Sequence, residues 1–114
     1  MNFKVFRTEM FEEEFRKLPK VGQERIEKFE GHLSENPFAG KPLGFIFFRE
    51  KRLDGKRVYY LIYRDLIAVL MVAISDKKDQ QTKINIIKTR LGYYYQLVKA
   101  ILNNSNKLFL FFQL

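Results

Sequence analysis

The residues of this chain best equipped for chemistry stand together in one run, Phe48-Arg49-Glu50-Lys51-Arg52-Leu53-Asp54-Gly55-Lys56-Arg57-Val58-Tyr59-Tyr60. Asp54-Gly55 between alternating residues is the strongest short hairpin signal a sequence offers. It predicts one strand from Phe47 to Leu53 and a second from Arg57 to Arg64. Side chains alternate along strands, so Arg49, Lys51 and Leu53 share one face while Glu50 and Arg52 share the other. On the next strand Arg57, Tyr59, Leu61 and Tyr63 go together. The expectation is that one face of the hairpin gathers Arg49, Lys51, Arg57 and Tyr59. Such a cluster repels itself unless an anion is to be bound, and a phosphate-binding face is the chemistry it predicts. The plainer alternative, that long solvated side chains cover apolar surface with their stems, holds for any one of them taken alone.

Few other residues compete for a chemical role. The chain has no cysteine, which excludes disulfides and thiolate chemistry, and its single histidine, His32, cannot build a metal site alone. His32 is placed on a helix beside the apolar stripe, away from the basic hairpin, without partners to orient or tune it. No metal and no cofactor are expected. The triplet Tyr93-Tyr94-Tyr95 offers hydroxyls and stacking surfaces, although tyrosines in a helical stripe are expected to be core residues with a wet hydroxyl.

Charge supports an anionic partner. The net charge is +8, and it is unevenly placed. Residues 1–40 carry seven Lys/Arg against eight Asp/Glu, residues 41–64 seven against two, and residues 65–114 seven against three. The first third is a neutral scaffold and the positive field belongs to the rest. A polyanion suits that field, through counterion release. The first residues lack the layout of a secretory signal, and no apolar run approaches the roughly 20 residues that span a bilayer. No membrane role is expected.

The elements that must position the basic run follow from periodicity. At 114 residues the chain is expected to fold as one domain over 1–103, followed by an apolar tail at 104–114. Phe3-Lys4-Val5-Phe6 reads as a first strand. Thr8 is a candidate N-cap, and Phe11, Phe15 and Leu18 form one apolar stripe behind it. Pro19 ends that helix and opens the next, from Lys20 to about Glu35, with Ile26, Phe29 and Leu33 on its apolar side; Asn36-Pro37 stops it. Two helices so closely linked predict an antiparallel hairpin. Residues 37–46 read as a loop. After the β-hairpin and a tight turn at Arg64-Asp65, Ile67 to Ile74 is continuously apolar and predicts a central strand buried on both faces. From Asp79 to about Leu102 the period returns to three and four through Ile84, Ile87, Leu91, Tyr94, Val98 and Ile101, which predicts one last helix. The segment Leu108-Phe109-Leu110-Phe111-Phe112 is too apolar to leave in water, and an added strand or a homodimer contact is expected of it. The expected fold is α+β: strand, helix, helix, three-strand antiparallel meander, helix, with a single sheet packed on the helix hairpin and its other face partly open.

This order resembles the RelE/ParE superfamily of toxin–antitoxin systems. Arg-Glu-Lys-Arg-Leu-Asp-Gly-Lys-Arg-Val-Tyr-Tyr at 49–60 is similar to its basic strand, turn and Arg-led strand. Leu-Ser-Glu-Asn-Pro-Phe-Ala-Gly-Lys-Pro-Leu at 33–43 is similar to its helix end and loop, and Asp76-Lys77-Lys78-Asp79-Gln80 resembles a segment of HigB-like members. The resemblance covers roughly residues 1–100. It implies a cytoplasmic toxin that cleaves mRNA, commonly on the ribosome, and that a cognate antitoxin neutralises. In that chemistry a ribose 2′-hydroxyl attacks its own phosphate without a metal, and preorganised cations answer the charge gathering on phosphorus. The resemblance implies that Arg57 contacts the scissile phosphate, that Lys51 transfers a proton or stabilises the phosphorane, and that Lys78 takes the place of an Arg after the last strand. Arg49, Arg52, Lys56, Arg64 and Lys77 are the further expected RNA contacts. The downstream Tyr of the RelE branch aligns with Ile84, so Tyr59 or one of Tyr93–Tyr95 would have to stand in for it. Two other readings stay open: a ParE-type inhibitor of DNA gyrase, and a toxin fold that only binds RNA or an antitoxin.

Overall fold

A computed structural model describes residues 2–104 of the chain. The strand or dimer contact expected of the C-terminal tail lies outside these residues. The elements are β1 (Lys4–Arg7), α1 (Glu9–Arg16), α2 (Lys20–Glu35), a 3-10 turn at Pro37–Ala39, β2 (Lys41–Pro42), β3 (Phe48–Leu53), β4 (Lys56–Tyr63), β5 (Ala68–Asp76), α3 (Gln80–Lys88) and α4 (Leu91–Asn103). They form one five-stranded sheet in the order β1-β5-β4-β3-β2, with β1 parallel to β5 and the other neighbours antiparallel. The α+β class and the antiparallel meander are as the sequence predicts.

Local chemistry accounts for the boundaries. The Thr8 hydroxyl accepts from the Phe11 amide at 3.0 Å and donates to the Val72 carbonyl at 2.8 Å, so one side chain caps α1 and ties it to the sheet. Asp54 and Gly55 both have positive φ, 52° and 81°, the conformation a two-residue hairpin turn demands. Strand β5 is buried from Ala68 to Ser75 between β1 and β4, which explains why its sequence is apolar without alternation.

Both faces of the sheet are covered, which corrects the expectation of a partly open one. Phe11, Phe15, Ile26, Phe29 and Leu33 of α1 and α2 pack on Val58, Tyr60, Ile62, Val69 and Met71. On the opposite face Ile84 and Ile87 of α3 and Tyr94, Val98 and Ile101 of α4 pack on Phe48, Tyr59, Leu61, Leu70 and Val72. The single last helix is two. Helix α3 ends where the Thr89 hydroxyl donates to the Ile86 carbonyl at 2.7 Å, a local bond that competes with helix propagation, and α4 restarts after Arg90. Gly92, the residue that weakens the helix in the sequence, lies inside α4.

A β-bulge sets the geometry of the site. Tyr59 pairs with Ala73 but Tyr60 pairs with Met71, so Val72 is an extra residue in β5. Strict alternation from Val69 and Met71 would put Ser75 on the α1–α2 face. The bulge shifts the phase, and Ser75 falls beside Arg57 on the α3–α4 face instead.

Candidate functional site

The register of the hairpin decides which side chains meet. With a turn of two residues, Leu53 pairs with Lys56, Arg52 with Arg57, Lys51 with Val58, Glu50 with Tyr59 and Arg49 with Tyr60. Arg57 and Tyr59 therefore share the α3–α4 face with Glu50 and Arg52, whereas Arg49 and Lys51 lie on the α1–α2 face. The expected gathering of Arg49, Lys51, Arg57 and Tyr59 on one face is corrected by this pairing. Two basic groups exist, one on each side of the hairpin.

On the α3–α4 face, Arg57 is only 4% exposed, yet its guanidinium makes no hydrogen bond or ion pair among the described residues. Its nitrogens are not among the side-chain atoms cut off from solvent, so the stem is buried while the five donors of the guanidinium stay open to an arriving anion. Arg52, its cross-strand neighbour, is exposed. Glu50 accepts a 2.7 Å hydrogen bond from the Gln80 side-chain amide at the start of α3. The Tyr59 and Ser75 hydroxyls share a hydrogen bond of 2.7 Å. Burial pushes the Tyr59 hydroxyl up to about 12, with Glu50 adding to the shift against opposing pulls from Ser75 and Arg57. Tyr59 therefore stays protonated at neutral pH. It has no exposed surface, so it supports the cluster from below rather than touching a ligand.

The resulting site is a carboxylate and two guanidiniums on one pleated surface, floored by Tyr59 and Ser75. Lys77 and Lys78 are exposed in the turn between β5 and α3, just ahead of the Gln80 that reaches Glu50. Such a site can take a phosphodiester on Arg52 and Arg57 while Glu50 accepts a proton next to it.

The remaining predicted residues lie elsewhere. Arg49 donates to the carbonyls of Ile46 and Gly40, both at 2.8 Å, and lies over the Phe38 ring, so it fastens the loop ahead of β3. Lys51 is half-buried, its ammonium 5.9 Å from the centre of the Phe29 ring. Lys56 pairs with Asp76 at 2.6 Å, and Arg64 lies against Phe38, 4.8 Å from the centre of the same ring that Arg49 covers. His32 is not remote from the basic hairpin as expected: it lines a cavity with Lys51. Ile84, at the position aligned with a family tyrosine, is buried in the core. Of the tyrosine triplet, Tyr94 is core as expected, while Tyr93 is exposed and the Tyr95 hydroxyl donates to Asp65 at 2.6 Å. Among the described residues no three His, Cys, Asp or Glu come together to hold a metal ion.

Sequence reasoning passed over Glu50, Ser75 and Gln80. For Glu50 the signal was present, because counting outward from Asp54-Gly55 pairs it with Tyr59. Ser75 needs the bulge and Gln80 the approach of α3, and neither is written in local sequence.

The sequence matches no family model and no curated protein. Its three-dimensional structure, by contrast, is similar to several toxins. A free arginine double mutant of the E. coli toxin RelE superposes with a TM-score of 0.68 at 20% identity, over 78% of this chain and 98% of that one. The toxin–antitoxin complex RelBE2 of Mycobacterium tuberculosis gives 0.60 at 23% identity, over 68% of this chain and 100% of the matched chain. The archaeal RelE–RelB complex of Pyrococcus horikoshii gives 0.60 at 19%, over 68% and 97%. At such identities the likeness is one of fold, and the five-stranded sheet with its two helical covers is the fold of the RelE toxins.

Proposed function

We propose that the chain is a RelE-like toxin that cleaves RNA at the α3–α4 face of the β3–β4 hairpin. The observation that carries this reading is Arg57: a guanidinium on a buried stem, unpaired among the described residues, opposite a second guanidinium and diagonal to a carboxylate. The likeness to RelE toxins supports the choice of RNA as the anion.

In this reading Arg57 and Arg52 hold the scissile phosphate. Glu50, oriented by Gln80, takes the proton from the ribose 2′-hydroxyl as the 2′-oxygen bonds to phosphorus. The bond from phosphorus to the 5′-oxygen breaks, and that oxygen leaves with a proton, for which the exposed Lys78 is the candidate donor. Arg57 and Arg52 answer the charge on the phosphorane, the largest catalytic contribution in sites of this type. Tyr59 and Ser75, joined by their 2.7 Å hydrogen bond, form the buried floor beside Arg57 and Glu50. The RNA is presented to this site by the ribosome, and a cognate antitoxin neutralises the toxin, the latter by analogy with the RelB-bound structures.

The test is the chemistry of the product. Expression of the chain should arrest growth, and incubation with RNA, with and without ribosomes, should yield 2′,3′-cyclic phosphate ends. A 2′-deoxy substitution at the cleaved position should block the reaction. Intact RNA in both settings, with growth unaffected, would remove the enzymatic reading. The burial of Ile84 where a family tyrosine is expected favours one alternative, a toxin fold that binds RNA without cutting it; RNA binding without cyclic-phosphate ends is its signature.

A further inference from the structure

The second basic group, on the α1–α2 face, has a cavity of its own. It measures about 560 Å³ between α2 and β3, and its charged lining consists of Glu24, Arg25, Lys28, His32 and Lys51. Arg25 is already paired with Asp54 at 3.1 Å. Lys28 and Lys51 make no ion pair among the described residues, so an ammonium group on α2, beside Glu24 and His32 of the same helix, faces a second ammonium group on β3 across the opening. Another cavity, of about 680 Å³ beside β1, is lined by Lys4, Arg7, Glu27 and Glu30, and its central charges satisfy each other: Arg7 and Glu30 are joined by hydrogen bonds of 2.9 and 2.7 Å. The α2–β3 cavity has no such internal settlement.

We propose that the α2–β3 cavity is a second nucleic-acid site, which holds backbone phosphates of the RNA outside the segment at Arg57. The proposal rests on the reading of the protein as one that acts on RNA. Geometry favours it. Lys51 is on β3 next to Arg52, and the two project from opposite faces of the same strand. A folded RNA or a pair of strands straddling the hairpin would meet Arg52 and Arg57 on one side and Lys51, Lys28 and His32 on the other. The positive charge of the hairpin is thereby split between the two faces of a single sheet layer. Phosphates suit the cavity because its two unpaired cations are ammonium groups, one on a strand and one on a helix, with no planar fork to read a base. The site gives affinity and register, not cleavage.

The experiment compares the protein with its Lys28→Gln/Lys51→Gln variant, binding a fluorescein-labelled 2′-O-methyl RNA hairpin that its own 2′-oxygen cannot cleave. Affinity is measured by anisotropy across a salt series. The expected result is a loss of affinity of about tenfold and a salt slope shallower by about 1.4–1.8, since each of the two phosphate contacts contributes about 0.7–0.9 to that slope. Cleavage of unmodified RNA at saturating concentration should keep its rate. Lys28→Arg/Lys51→Arg should bind as the parent does, and an unchanged melting temperature in both variants shows that the fold is intact. An unchanged affinity and slope overturns the proposal. So does a variant that keeps RNA binding while losing binding to an acidic peptide, which would assign the cavity to a protein partner. Because binding is read on uncleavable RNA, a chain that cuts nothing would refute the nuclease reading and leave this result standing on its own.

Discussion

Two buried arginines in this protein have opposite surroundings. Arg7, 8% exposed, runs its guanidinium between two glutamates: its Nε and Nη2 donate to Glu30 at 2.9 and 2.7 Å, and its Nη1 donates to Glu12 at 2.6 Å. It also lies 3.9 Å from the centre of the Phe15 ring. Burial alone would lower its pKa, but the bonds to Glu30 and Glu12 carry it above its ordinary value, so Arg7 stays charged. Arg57, 4% exposed, has none of this among the described residues. The first arginine is cement between β1, α1 and α2. The second is a cation with no protein counter-charge among the described residues, its stem buried and its donors open to solvent, which is what the proposed phosphate contact requires.

The largest expected effect tests the cement. Arg7→Met leaves Glu30 buried without its partner and should cost about 3–5 kcal/mol, read as a lower midpoint in chemical denaturation. The same substitution at Arg57 should leave stability unchanged or raise it. If both destabilise alike, the two arginines are alike and the contrast is lost. In activity the order reverses. Arg57→Ala should lower cleavage by about 100- to 1,000-fold, the scale seen when one preorganised donor to a reacting oxyanion is removed. A change of less than threefold would remove Arg57 from the site.

The α1–α2 face sharpens the same contrast at smaller scale. Arg49→Ala unties the carbonyls of Gly40 and Ile46 and should cost about 1–2 kcal/mol of stability while leaving cleavage at the parent rate. Cleavage that falls with Arg49 as steeply as with Arg57 would return Arg49 to the site. The smallest effect lies in the alkaline range. Tyr59 is raised from 10.0 to about 12 by burial, so its neutral form is the one the fold accepts. Its contribution is complete below about 10, where the unfolded chain also holds the proton, and is lost as pH climbs toward 12. Tyr59→Phe should flatten part of the stability decline over that window. An identical decline in Tyr59→Phe would mean that other groups account for all of it.

How much of this was legible in the sequence depends on how local the cause is. Helix α2 runs from Lys20 to Glu35 as predicted, because Pro19 and Asn36-Pro37 bound it and Ile26, Phe29 and Leu33 mark its buried side. The Asp54-Gly55 turn and the buried strand β5 were equally readable, each from a few consecutive residues. The break at Thr89-Arg90 was not, since neither residue is a strong helix breaker and the apolar period runs on across it. The parallel pairing of β1 with β5 joins residues more than sixty positions apart, and no local signal announces it. At the site, the residue types were recognised but their sides were not. The alternation along each strand was right, and the pairing across the turn was taken one residue out of register. A slip of one residue moves every side chain to the opposite face, and that is how Arg49 and Lys51 came to be grouped with Arg57 in place of Arg52 and Glu50.

The likeness to RelE toxins supplies a frame, and the two sides of the hairpin divide the work within it. The bulge at Val72 belongs to that division, because it turns Ser75 toward Tyr59 and so helps to hold the floor under Arg57. The most direct measurement is side-by-side cleavage of one labelled RNA, with ribosomes present, by the parent protein, Arg57→Ala and Arg49→Ala. The account predicts cyclic-phosphate product from the parent and from Arg49→Ala, and almost none from Arg57→Ala with its fold intact. Full product from Arg57→Ala would contradict it.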